Sequence, residues 1–263
     1  MKPILPVATA TLLIALAGSG RGFDVTNCNV VVPENDVGVL VADMDCTGGQ
    51  IAMRAGATLD LAGHTLQGDA HPIIWCLEHR CTITGPGAIV GDGKSIAIYV
   101  ESRVKLFLSD VALRNHEFGV LGTFTGKSKL RATNVTAEDC TRGGLHGSRI
   151  KAAGVTILRS GSGSEPGIQG RINATDIAVE DGLAVGILCV GTCTLKRATV
   201  TNNAGVGILS TRGVNLKEST VTGNDVGDAG IDIDSSSHPH LQLSTCGRSR
   251  SPDGSPWGVC AND

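Results

Sequence analysis

Between residues 111 and 179 the chain writes Val111-Ala112-Leu113, then Val135-Thr136-Ala137, then Val155-Thr156-Ile157, then Ile177-Ala178-Val179. Each triplet places apolar side chains two residues apart around a residue that faces the other way, which is the period of a half-buried strand. The triplets return at a near-constant interval. Extended in both directions, the last residues form a series of Leu66, Ile89, Leu113, Ala137, Ile157, Val179, Val200 and Val221, with steps of 20 to 24 residues. A second series follows it, usually after glycine: Ile74, Ile98, Val120, Leu145, Ile168, Ile187, Ile208 and Ile231. A third closes each repeat: Ile83, Leu106, Leu130, Ile150, Ile172, Leu195 and Leu216. Three short strands per repeat leave no room for a helix, so the pattern predicts an all-β coil of stacked parallel strands.

Composition agrees with such a coil. The 263 residues include 36 glycines but only two tryptophans, one tyrosine and four phenylalanines, which fits tight turns and small inward side chains. No linker interrupts the repeats, so we expect one solenoid domain of about eight coils over residues 59–234. Residues 18–58 and 235–263 are expected as end caps, because an open solenoid end exposes unpaired strands. After each first strand come turn formers: Asn115, Asp139, Asp181, Asn202, Asn203, Gly223 and Asn224. Asn and Asp tolerate left-handed backbone and bond local amides, so these read as a stacked structural ladder rather than metal ligands.

Lys2 precedes an apolar run from Ile4 to Leu16, and Ala15-Leu16-Ala17 offers a small-x-small cleavage site. This is the pattern of a signal peptide over residues 1–17, and it implies a secreted or periplasmic chain with no membrane span once processed. Export makes the nine cysteines candidates for disulfides. Nearest neighbours suggest Cys28 with Cys46, Cys76 with Cys81, Cys189 with Cys193, and Cys246 with Cys260, leaving Cys140 unpaired on an outward turn. Cys76 and Cys189 each lie two residues past a second-series marker, so both close pairs should clamp the same corner. Zinc is the rival reading for His71, Cys76, His79 and Cys81. Oxidation is preferred because the Cys189 copy has no histidine.

The formal net charge is −3. It gives no electrostatic reason to expect a nucleic-acid partner, there being no basic stripe to release counterions from phosphates, while binding of a polyanion to a local patch stays open.

The segment Thr58-Leu59-Asp60-Leu61-Ala62-Gly63-His64-Thr65-Leu66-Gln67-Gly68, with Cys46-Thr47-Gly48-Gly49 before it, resembles the opening coil of right-handed parallel β-helix proteins of the pectate-lyase-like class. That resemblance implies the fold for about Cys28 to Asp234, and it does not specify an activity, since the class includes lyases, hydrolases, epimerases and proteins without assigned catalysis. His64 reads as structural, because it precedes inward Leu66. Leu145-His146-Gly147 and Arg149-Ile150-Lys151 look like polygalacturonase motifs, but they are adjacent instead of a coil apart, and Asp228, Asp232 and Asp234 follow them rather than precede.

Two surface groupings remain as candidates. Asp232 and Asp234 alternate with Ile231 and Ile233, so both are expected on one outer face, where they would suit a carboxylate pair or a calcium ion. Residues after the second-series markers should also face outward, which aligns Trp75, Tyr99, His146 and Gln169, with Glu101 and Arg171 downstream on the same face. Aromatics beside acid, amide and guanidinium groups suit stacking on and bonding to a sugar chain. The expected function is therefore binding of an extracellular polysaccharide, with action on it kept open; the alternative is a structural or adhesive surface protein. Asn134-Val135-Thr136 and Asn173-Ala174-Thr175 are glycosylation sequons should the host use them.

Overall fold

The protein is described by a computed structural model covering residues 22–123, 127–225 and 230–263. The signal segment 1–17 and Asp228 lie outside the described residues. The chain forms a parallel β-solenoid of about ten turns with no helix among the described residues.

Each turn carries three strands, and each strand pairs in parallel with its counterpart one turn away. On the first face the inward column runs Met44, Leu66, Ile89, Leu113, Ala137, Ile157, Val179, Val200, Val221 and Cys246, in unbroken register. The interior stack expected from Leu113 to Val200 is present and buried throughout. On the second face the column is Val30, Ile51, Ile74, Ile98, Val120, Leu145, Ile168, Ile187, Ile208 and Ile233. Each aliphatic side chain fully withdrawn from water stabilises the coil by roughly 1.5–3 kcal/mol.

Three details of the repeat differ from the sequence reading. There are about ten turns instead of eight, because residues 23–53 are themselves coiled: the strands Val30–Val32 and Ile51–Met53 already stack beneath Ile74–Cys76. The last second-face marker is Ile233 and not Ile231, since Ile233 pairs with Ile208. The third face has two inward columns, not one: Ile83 stacks on Leu108, while Leu106 stacks on Cys81. Over three central turns the columns divide large from small, with Leu130, Ile150 and Ile172 in one and Ala132, Ala152 and Ala174 in the other, while Cys81 and Ile83 reverse that order. Picking the larger side chain in every coil had merged them.

The corners behave as the turn chemistry requires. Asn115, Asp139, Asp181, Asn202 and Gly223 all adopt left-handed backbone, with φ between 55° and 71°, and Arg159, at 47°, takes the corner between Asp139 and Asp181. One position inward, Asn203 and Asn224 are buried and bonded along the axis. A carboxamide there satisfies the amides and carbonyls that the turns leave unpaired.

Three disulfides form: Cys28–Cys46, Cys189–Cys193 and Cys246–Cys260. Cys76 and Cys81 do not join; both are free, fully buried thiols, and Cys81 Sγ faces the Met53 carbonyl. Four residues separate this pair, whereas three separate Cys189 from Cys193 at the equivalent corner. Cys140 is free as expected, but it is buried inside the corner rather than exposed on it, and burial pushes its thiol pKa up to about 12.

Candidate functional site

Trp75 and Tyr99 sit directly opposite each other on adjacent strands, Ile74–Cys76 and Ile96–Val100. Alternation sends Ile74, Cys76, Ile98 and Val100 into the core, so the two aromatic side chains are left half-buried on the outer face. The indole Nε1 donates to Glu101 Oε1 at 3.2 Å, which holds the carboxylate at the rim of the aromatic pair. Burial raises the Tyr99 phenol pKa, and the Glu101 charge raises it further. The site therefore offers two adjoining rings, a neutral hydroxyl and a fixed carboxylate. The column continues through Leu121 to Gln169, Leu188 and Leu209, all half-buried. Stacking and hydrogen bonding to a ring-shaped polar molecule are what these groups can do.

The structure separates the other candidates from this pair. His146 occupies the column position between Leu121 and Gln169, yet it turns inward and is buried. A register shift between His146 and Arg149 permits the turn. Its Nε2–H donates to the Pro166 carbonyl at 2.7 Å, and its ring meets Phe118 edge-on at 5.0 Å. Gly143 makes the room, since a Cβ there would lie 2.2 Å from Nε2. Burial lowers the His146 pKa, so the ring is a neutral packing element.

Arg171 lies around the corner on the third face, paired with Arg149, and not beside Trp75. Asp232 and Asp234 do not share an outer face either. Asp232 is buried, accepting from Asn224 Nδ2 at 2.8 Å and from the Gly247 amide at 2.7 Å, so it terminates the asparagine ladder. Asp234 is the one in the outward column, and Arg250 engages it through Nε at 3.0 Å and a terminal nitrogen at 2.6 Å. Both carboxylates are committed to the C-terminal turns. Among the described residues, no group of three or more His, Cys, Asp or Glu side chains gathers as a metal site.

A set that whole-chain charge concealed stands on the third face. Arg80, Lys105, Lys129, Arg149 and Arg171 occupy one outward column on five successive turns. Arg131 and Lys151 follow in the next column, beneath Phe107. The reading that the chain carries no basic stripe is thus corrected: charge summed over 263 residues hides where it stands. The signal was present in the sequence: a cation directly precedes each of Cys81, Leu106, Leu130, Ile150 and Ile172.

Compared with known protein families, with curated proteins and with solved structures, the chain matches none.

Proposed function

We propose that the solenoid binds a polysaccharide outside the cytoplasm. The observation that carries this reading is the Trp75–Tyr99 pair on adjacent turns with Glu101 fixed at its edge. Half-buried aromatic faces lose little conformational freedom on binding and stack on the apolar faces of sugar rings, while the neighbouring carboxylate takes hydroxyl hydrogen bonds. Three disulfides are compatible with an exported protein. The likeness of residues 58–68 to the opening coil of pectate-lyase-like proteins supports the same direction. Binding without catalysis is the stronger form of the proposal, because Asp232 and Asp234 are occupied by structural partners.

Calorimetric titration of the mature protein with a panel of neutral and acidic polysaccharides tests it. Trp75→Ala should weaken binding by about 1–3 kcal/mol, as for a desolvated anchor in an interface. Gln169→Ala should have a smaller effect. A Trp75→Ala variant that binds normally and melts normally would remove the platform from the site.

A further inference from the structure

The third face of five consecutive turns presents the strand segments Arg80–Thr84, Lys105–Ser109, Lys129–Thr133, Arg149–Ala153 and Arg171–Thr175 in mutual register. Alternation buries the second and fourth residue of each: Cys81 and Ile83, Leu106 and Leu108, Leu130 and Ala132, Ile150 and Ala152, Ile172 and Ala174. What remains outside is cationic in the first position of every segment and again at Arg131 and Lys151, all of it exposed. No outward residue of these segments is acidic. The acids at the neighbouring corner are already engaged, Glu78 with Arg54 at 3.0 Å and Glu101 with the Trp75 indole. Among the described residues, none of the seven cations forms an ion pair with a carboxylate.

Like charges placed directly opposite on paired strands destabilise a sheet. Here that arrangement repeats over four successive pairings without a counter-charge, whereas on other faces the exposed Arg142, Arg159 and Arg197 each meet a carboxylate. The face also has relief: Phe107 lies under the Arg80 and Arg131 guanidinium groups at 4.5 and 5.5 Å, and a groove of 170 Å³ opens between Lys105, Phe107, Lys129 and Arg131.

We infer that this ladder is a binding surface for a linear anionic polysaccharide, laid along the solenoid axis with its carboxylate or sulfate groups over successive rungs. This rests on the polysaccharide reading above and specifies its ligand class. Rungs stand about 4.8 Å apart, so five of them span about 19 Å. A uronan or sulfated glycan carries its charge at intervals of about a sugar ring, close to that spacing. The phosphates of a nucleic-acid duplex follow at about 3.4 Å along each strand, out of step with the rungs. Phe107 and the groove beside it accept a ring face between two charges.

The test is titration of the full mature chain, with EDTA present throughout, against heparin, polygalacturonate, neutral dextran and double-stranded DNA. The two acidic glycans distinguish sulfate from carboxylate as the group recognised. Either one should bind, dextran should bind far more weakly, and the logarithm of affinity should fall with the logarithm of salt at a slope near −5, from about −0.7 for each of seven neutralised charges. A Lys105→Ala, Lys129→Ala, Arg149→Ala triple variant should lose at least about tenfold in affinity at low salt and about 2 from the slope, while Lys129→Arg binds as the parent does. The triple variant removes only exposed repelling charges, and thermal melting confirms its fold. Unchanged affinity in a folded triple variant, with loss in Trp75→Ala, overturns the ladder and leaves the polysaccharide reading standing. DNA binding as tight as the glycans also overturns it, and binding of no polysaccharide at all removes both.

Discussion

Asn203 donates from Nδ2 to Asn224 Oδ1 at 2.8 Å, and Asn224 repeats the same bond one turn later to Asp232 Oδ1, also at 2.8 Å. The chain of amides begins at the Gly182 N–H, which donates to Asn203 Oδ1 at 3.1 Å, and ends where Asp232 takes the Gly247 and Arg248 amides. Every member is buried and bonded on both sides, so the last three turns share one polar spine.

Breaking that spine at its middle should be costly. Asn224→Ala takes the side-chain acceptor from the buried Asn203 N–H and leaves Asp232 Oδ1 with the Asn224 N–H as its remaining donor, and each buried group left unsatisfied costs about 1–3 kcal/mol. Asn202→Ala, at the neighbouring exposed position, should cost less, its penalty being that of left-handed backbone alone. Urea denaturation of the two variants measures the difference, and equal losses would show that the spine adds nothing beyond turn geometry.

A second prediction concerns acid. His116 is buried, with Nδ1 2.9 Å from Ser95 Oγ and Nε2 3.0 Å from the Ile89 carbonyl, and burial lowers its pKa to about 4. An unfolded histidine titrates near 6.5, so the unfolded chain binds the extra proton between those values. The neutral ring's contribution is therefore complete above about pH 6.5, declines as pH falls towards 4, and is gone below it, for a total of about 3 kcal/mol. His146 shifts in the same direction. Denaturation midpoints at pH 7.5, 5.5 and 4.5 should fall in that order, and the decline should be shallower in His116→Gln.

Thiol counting gives a third. Cys76, Cys81 and Cys140 are buried with raised pKa values at Cys76 and Cys140, both chiefly through desolvation. A thiolate is the reactive form, so a thiol-specific reagent at pH 8 should label none in the native protein and three after denaturation. A count of one after denaturation would show that Cys76 and Cys81 had joined.

Salt supplies the fourth. Screening length falls from about 30 Å at 0.01 M to about 3 Å at 1 M ionic strength, so the repulsion between stacked cations weakens strongly across that range. Raising sodium chloride should increase the melting temperature of the parent protein more than that of the Lys105→Ala, Lys129→Ala, Arg149→Ala variant. Parallel responses would mean the rungs splay apart and do not repel.

How legible the fold was depended on how local its cause was. Strand alternation and turn residues act within a few positions, and the interior column from Leu113 to Val200 could be written down from them. Coil number was harder: Val30, Ile51 and Ile74 keep the interval of the central repeats, 21 and 23 residues, but their strands lie in the segment 18–58 that the need to cover an open end had assigned to a cap. The site was less legible still. Ile231 and Ile233 obey the same alternation, so only the pairing of Ile233 with Ile208 reveals that Asp232 faces in and Asp234 out. His146 was misplaced because a register shift leaves no mark in residue type. The cation ladder was overlooked for the opposite reason: its members are plain in the sequence, but a net charge of −3 averages them against acids on other faces.

The strict register has a consequence for how such a chain can change its length. Ile187 stands to Ile208 as Cys193 does to Val214 and Val200 to Val221, each pair 21 residues apart. Excising residues 187–207 would join Gly186 to Ile208, remove Cys189 and Cys193 together, and leave Asn224 where Asn203 had stood. Losing a single residue from a strand would instead turn its inward set to solvent. Inheritance can therefore edit this protein by whole turns and hardly at all by fractions of one, so relatives should differ by blocks of about one repeat, with the polymer they grip growing or shrinking in step.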